Sequence, residues 1–287
     1  MTKKTIILCL SVFWIATHAT GQSTPRDGFY DRQPPRDGFY DRIAVVEKGP
    51  VQLPFIRQAD VMWERRVWQV IDLREKMNQP LYFPLVPTQG RVSLFQLLFD
   101  GVKSGELVAY INDDFTEPRS LQEIQAGLGS TRTVRLQRPN PPYDYFDTII
   151  NIPFRPDDIK SFRIKEDWFF DSKRSVLDVR IIGICPVREA INPNTGEVIG
   201  TEPMFWIYFP QARPLLARNA AFNPHNSARR ISFDDLFLQR LFSAYILKED
   251  NIFDRRINDY MKGLDGLIEA QRAREKIRNF EHNLWEF

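Results

Sequence analysis

Apolar and polar positions change period several times along the chain, and each change predicts an element. Over residues 60–78 the apolar Val61, Trp63, Val67, Trp68, Val70, Ile71 and Met77 are interleaved with Glu64, Arg65, Arg66, Arg74 and Glu75. Read at the helical period, this spacing predicts an amphipathic helix whose two tryptophans anchor it in the core. Pro80 and Pro84 then predict an extended run. Ser93 with Gln96, and Ser120 with Glu123, fit the capping box, in which the serine oxygen accepts a free helical N–H and the Gln or Glu reaches back. Each predicts a short helix, and Gly105 closes the first. Between them residues 107–111 predict a strand and Asn112, Asp113 and Asp114 a turn.

From Ser161 onward the runs become β-branched and aromatic, at 162–164, 168–170, 176–187 and, after the turn-rich residues 192–196, at 204–209. They predict an antiparallel hairpin at the centre of a sheet. Residues 232–242 return to helical spacing through Phe233, Leu236, Phe237, Arg240 and Leu241, and a polar connection begins at Arg255 and Arg256. Leu267, Ala270, Ala273, Ile277, Phe280 and Leu284 fall three or four residues apart and form one stripe of a C-terminal helix. Glu269 with Arg272 and Glu275 with Arg278 add weak ion pairs, so the helix needs a docking surface to be stable. The pattern as a whole predicts an α+β fold, with a central, mostly antiparallel sheet from residues 160–210 and helices from both flanks packed on it.

The octapeptide Pro-Arg-Asp-Gly-Phe-Tyr-Asp-Arg occurs twice, at 25–32 and 35–42. Two copies are too few for a solenoid. The prolines and the Asp27-Gly28 and Asp37-Gly38 turns predict an extended arm, ordered on contact with something else. Ahead of it, Lys3 and Lys4 precede the apolar run 6–16 and the small residues Ala19, Thr20 and Gly21, the order of a secretory signal peptide. That run is shorter than the roughly 20 residues a spanning helix requires. Cleavage after Ala19 or Gly21 is compatible with the small residues, and the latter leaves Gln22 first. The expected organisation is a signal peptide over 1–21, an extended arm over 22–54, an α+β core over 55–262 and an amphipathic helix over 263–287.

Loss of Lys3 and Lys4 with the signal peptide leaves 37 basic residues against 37 acidic ones. A neutral chain has no surplus charge for a phosphate backbone, which argues against nucleic acid as the main partner. Arginines number 28 against 11 lysines, beside 22 Phe, 9 Tyr and 6 Trp. That mixture suits protein interfaces as well as a large core, because guanidinium forks pair with carboxylates and stack on rings. Cys185 is the one cysteine beyond the signal segment and sits in a strand-like run, which predicts a buried, inert thiol.

Candidate chemistry is sparse. His225 is the most plausible hydrolytic base, yet no Gly-x-Ser-x-Gly turn or reactive cysteine accompanies it, and His282 lies far away in the C-terminal helix. No His/Cys spacing suits a metal. The adjacent acids Asp113-Asp114, Asp157-Asp158 and Asp234-Asp235 point in divergent directions and read as turn or cap residues. Gly127-Leu128-Gly129 resembles half of a phosphate loop but lacks the third glycine, and reads as a helix end. Neither a catalytic nor a cofactor site is expected.

Several long blocks resemble the GldN/PorN family of the type IX secretion and gliding machinery of Bacteroidetes. They are residues 59–82 (ADVMWERRVWQVIDLREKMNQPLY), 164–171 (IKEDWFFD), 174–183 (RSVLDVRIIG), 222–226 (FNPHN) and 279–287 (NFEHNLWEF), so the resemblance runs from about residue 55 onward. The perfect duplication in the arm departs from the family pattern. The resemblance implies a periplasmic, non-enzymatic subunit at the inner face of the outer membrane, self-associating in a ring with a GldK/PorK-like lipoprotein. It also implies contact with the GldM/PorM-like periplasmic part of an inner-membrane motor. A ring needs heterologous interfaces. Phe29, Tyr30, Phe39 and Tyr40 of the arm and Ile277, Phe280, Leu284 and Trp285 of the C-terminal helix are the candidate contact residues. An exported hydrolase, or a free ligand-binding protein of the envelope, is the alternative class.

Overall fold

Residues 61–72 form a strand, which overturns the helix expected there. Val, Ile and Trp favour a pleated, half-buried surface, and the polar residues that imitated a helical face are paired across strands instead. Arg66 Nε meets Asp167 Oδ1 at 2.6 Å and Arg65 Nη1 meets Glu249 Oε2 at 3.1 Å. From Val67 to Ile71 both faces of the strand are largely covered, which blurs the alternation there, whereas Val61–Glu64 still alternate.

The computed structural model describes residues 48–283, apart from 89, 129, 138–143, 153–155, 193–196, 224, 225 and 227–229. The expected signal peptide and the duplicated arm motif lie outside the described residues. In chain order the elements are β1 (Val61–Asp72), α1 (Gln79–Tyr82), α2 (Leu94–Ser104), β2 (Ala109–Tyr110), α3 (Leu121–Leu128), β3 (Ser130–Gln137) and β4 (Tyr145–Ile152). There follow β5 (Ile159–Asp171), β6 (Val176–Ile191), β7 (Val198–Pro203), β8 (Trp206–Tyr208), α4 (Phe209–Arg218), β9 (Ala220–Ala221) and β10 (Ile231–Ser232). The last are α5 (Phe233–Leu238), β11 (Tyr245–Glu249), α6 (Ile257–Tyr260) and α7 (Leu264–Asn283).

A sheet ordered β11-β1-β5-β6-β8-β2, with β7 also pairing β6, carries the fold, and its pairings are antiparallel. The β5–β6 hairpin stands at its centre, as the sequence predicts, and β3–β4 is a separate two-stranded hairpin. The α+β reading holds. Of the two expected capping boxes, the one at Ser120 is complete, whereas at Ser93 the serine caps the helix but Gln96 Oε1 does not reach back. Ser93 Oγ accepts from Gln96 N, Gly105 ends α2 at φ 79°, and Ser120 and Glu123 exchange bonds at the start of α3. Two local readings fail. Residues 79–82 make a short helix where an extended run was expected, because Pro80 occupies a first-turn position that needs no N–H. Helix α4 follows β8 unannounced, its pattern hidden by Pro210 and Pro214.

Along β5 side chains alternate, and Phe162, Ile164, Glu166, Trp168 and Phe170 share one face with their β1 partners Ile71, Gln69, Val67, Arg65 and Trp63. Two apolar clusters cover this face. One gathers Ile71, Phe162, Ile164 and Ile184 with α2, α4 and α5. The other gathers Val67, Ile246 and Ile257 with Ala270, Ala273 and Ile277 of α7, and Trp63, Trp168 and Leu177 pack against it. Glu166 lies between them.

Candidate interaction surface

Among the described residues, the groups with chemical potential are engaged in holding the fold. Cys185 is fully buried, and burial pushes its thiol up to about 12, so it remains protonated and unreactive. Glu166, with no exposed surface, accepts from both terminal nitrogens of Arg240 (2.8 and 3.2 Å), from Gln69 Nε2 (2.9 Å) and from the Trp168 indole (3.1 Å). Arg213 grips Asp234 with two bonds, of 2.9 and 3.1 Å.

Asp113 accepts from the Trp68 indole at 2.8 Å and faces Lys165 Nζ at 3.3 Å. Burial pushes its carboxyl upward, but these two partners outweigh burial and hold it below the usual carboxylate range. Asp235 closes a capping box with Ser232 and takes Lys48 Nζ. Two of the three acidic pairs are thus ion-pair and cap residues, and Asp157 and Asp158 belong to a one-turn 3-10 helix. Gly127 lies in the last turn of α3, its carbonyl accepting from Arg188 Nη1 at 2.6 Å. No group of three or more His, Cys, Asp or Glu among the described residues is placed to hold a metal. His225 lies outside the described residues.

The apolar stripe of α7 is divided. Ala270, Ala273 and Ile277 are buried on the sheet, and Phe280 stacks on Trp63 with ring centroids 4.5 Å apart and meets Phe170 edge-on at 6.4 Å. Ile277 and Phe280, both candidate contact residues, therefore dock the helix onto its own chain. Leu267, expected on the same stripe, is exposed, together with Leu264 and Ile268. Phe29, Tyr30, Phe39, Tyr40, Leu284 and Trp285 lie outside the described residues.

The β11–α6 loop turns two large apolar side chains outward, Ile252 at 97% and Phe253 at 69% exposure. The loop is held open by Asn251, whose Oδ1 accepts from Phe253 N and Arg255 N while its Nδ2 donates to the carbonyls of Glu249 and Arg255. Asp254 completes the turn at φ 52°. Between the loop and α7 lies a cavity of about 210 Å³ lined by Phe253, Ile257, Tyr260 and Ala273 and by the polar Glu249, Asn251, Arg255 and Glu269. Ile252 and Phe253, exposed on a hydrogen-bonded loop, are candidate contact residues. The sequence carried one signal for them, their position as a pair between the turn formers Asn251 and Asp254.

The model of the gliding motility associated protein GldN matches residues 56–286. The chain belongs to the GldN family. The comparison with curated proteins finds no match. The GldN match takes in the whole sheet, the β11–α6 loop and α7, whereas the duplicated octapeptide falls outside it. Membership makes this a gliding motility associated chain, and no described helix is long and apolar enough to cross a membrane.

Proposed function

We propose that this GldN-family chain is a non-enzymatic structural subunit of a periplasmic ring beneath the outer membrane. In this reading it partners a GldK/PorK-like lipoprotein and relays work from a GldM/PorM-like motor component to type IX protein secretion and gliding. One observation carries the reading: Cys185 is buried and protonated, Glu166, Lys165, Arg213 and Asp234 are paired within the fold, and large apolar side chains such as Ile252 and Phe253 stand exposed within the family region. A subunit that works by contact requires that division, and a hydrolase requires the opposite one, a cleft with unspent acid and base groups.

The test is to isolate the tagged protein from native envelopes in mild detergent and examine the eluate by mass spectrometry and electron microscopy. Rings with a stoichiometric lipoprotein are the expected result. A small, partner-free species would sink the reading.

A further inference from the structure

We propose that the outer edge of β6 between Val176 and Ile182 takes up an extended, acidic segment of a partner protein, which adds a strand to the sheet there. On one side β5 pairs β6 from Val176 to Arg188. On the other side β7 pairs residues 187–191 and β8 pairs Gly183 and Ile184, and among the described residues no strand pairs 176–182. The register of β8 would carry it along this edge, with the residue after Tyr208 opposite Ile182. At Phe209 the chain instead turns into α4, with Pro210 in its first turn. The lane beside this half of β6 is left vacant.

The vacancy is a cavity of about 450 Å³, lined by residues 178–182 of β6 and bounded elsewhere by Leu53, Pro54, Phe209, Pro210, Phe237 and Leu238. Five strand residues span about 14 Å, so the lane fits four or five residues of extended chain. Pro54, Pro210 and Leu238 are exposed, so it is reached from solvent. Backbone groups along an edge strand alternate sides, and those facing outward are met by water or by an added strand. Here the N–H of Val179 donates to the carboxylate of the preceding residue, Asp178 Oδ1 at 2.8 Å. An extended backbone presents donors and acceptors at the repeat this edge requires. The bounding side chains leave room for one such segment and not for the sheet edge of a second copy with its helices.

Charge selects the segment. Arg180 lines the cavity and keeps part of its side chain exposed. Its polar contacts are long, to the Pro54 carbonyl at 3.4 Å and to Asp178 Oδ2 at 3.5 Å, and Asp178 is shared with Arg174 Nη2 at 3.1 Å. Arg213 and Arg240, also in the lining, have carboxylates of their own in Asp234 and Glu166. Burial, with Arg174 and Arg213 adding to it, holds the Arg180 guanidinium below its ordinary pKa against the pull of Asp178. A second carboxylate beside Arg180 is therefore favourable. Main-chain pairing supplies the affinity, and Arg180 the preference for an acid at one position. The contact stands on the sheet and the cavity alone, whether or not the chain sits in a ring.

Hydrogen exchange of the full chain tests this with a blocked probe peptide of about eight residues, alternating valine and threonine around one central glutamate. At about 1 mM peptide, exchange at two or more amides within 177–182 is expected to slow at least threefold, with α7 unchanged. Replacing the glutamate by lysine, or N-methylating the peptide along one edge, is expected to weaken binding at least tenfold. Arg180→Gln is expected to abolish the preference for glutamate over lysine while binding still requires unmethylated amides. Absence of protection, equal binding of the N-methylated peptide, or an undiminished glutamate preference in Arg180→Gln would overturn the proposal. Protection of these amides already in the free chain would overturn it too, because the chain would then fill the lane itself.

Discussion

Single side chains decide stability at a few crowded places. A Cβ at Gly183 meets Phe115 Cζ at 2.6 Å and Trp206 Cε3 at 3.3 Å, so Gly183→Ala is expected to destabilise by about 1–3 kcal/mol, read as a lower urea midpoint at unchanged slope. Glu166→Ala leaves the Arg240 guanidinium without its anion in a half-buried site. Its expected cost, measured the same way, is about 3–5 kcal/mol.

Asp113 and Asp235 are both held below the ordinary carboxylate range, Asp113 by Trp68 and Lys165, and Asp235 by Lys48 and Ser232, in each case against burial. A depressed folded-state pKa contributes stability above the unfolded value, about 4, and loses it as pH falls through the folded one. Unfolding free energy is therefore expected to be flat from about pH 7 to 5 and to decline below about 4, with a shallower decline in Asp113→Asn. The buried Cys185 thiol and the two capping serines were legible at this scale, because burial in an apolar run and a three-residue side-chain reach are local matters. The Glu166 node was not, since Gln69, Trp168 and Arg240 come from segments that only the folded sheet brings together.

At the scale of elements, the decisive case is α7. Its net contribution rests on three small or medium apolar residues and one stacked ring, so the helix is held by the sheet and not by its own propensity. Ile277→Ala is expected to cost about 2–5 kcal/mol, with faster amide exchange in 264–283 than in β5. If exchange in the two elements accelerates equally, α7 is not the separately weakened unit described above. The misreading of β1 is instructive in the same terms. Its seven apolar residues fit a helix as well as a strand whose second half is covered on both faces, and pairing with β5 over eleven positions settled the matter. No local signal encodes that partner.

At the scale of the whole molecule, the two apolar clusters and the Glu166 node fix where α7, α6 and the β11–α6 loop sit, and so create the outward surface. Ile252→Asp with Phe253→Asp changes residues that touch little of their own fold, so its unfolding midpoint is expected to stay within about 0.5 kcal/mol of the parent. The size of the species recovered from envelopes is expected to fall sharply. A ring of normal size from that variant would remove the surface from the assembly.

The sequence by itself determined the α+β class, the central hairpin, the helix starts at Ser93, Ser120 and Ser232, and the C-terminal amphipathic helix. These follow from periodicity and from contacts within a few residues. Its long blocks also carried the GldN family. Only the tertiary structure decided that residues 61–72 pair as a strand, and that Ile277 and Phe280 face inward while Leu264, Leu267 and Ile268 stay exposed. A stripe on a helix shows which residues share a side. What lies opposite that side is set by chain segments some 200 residues away, such as Trp63 beneath Phe280.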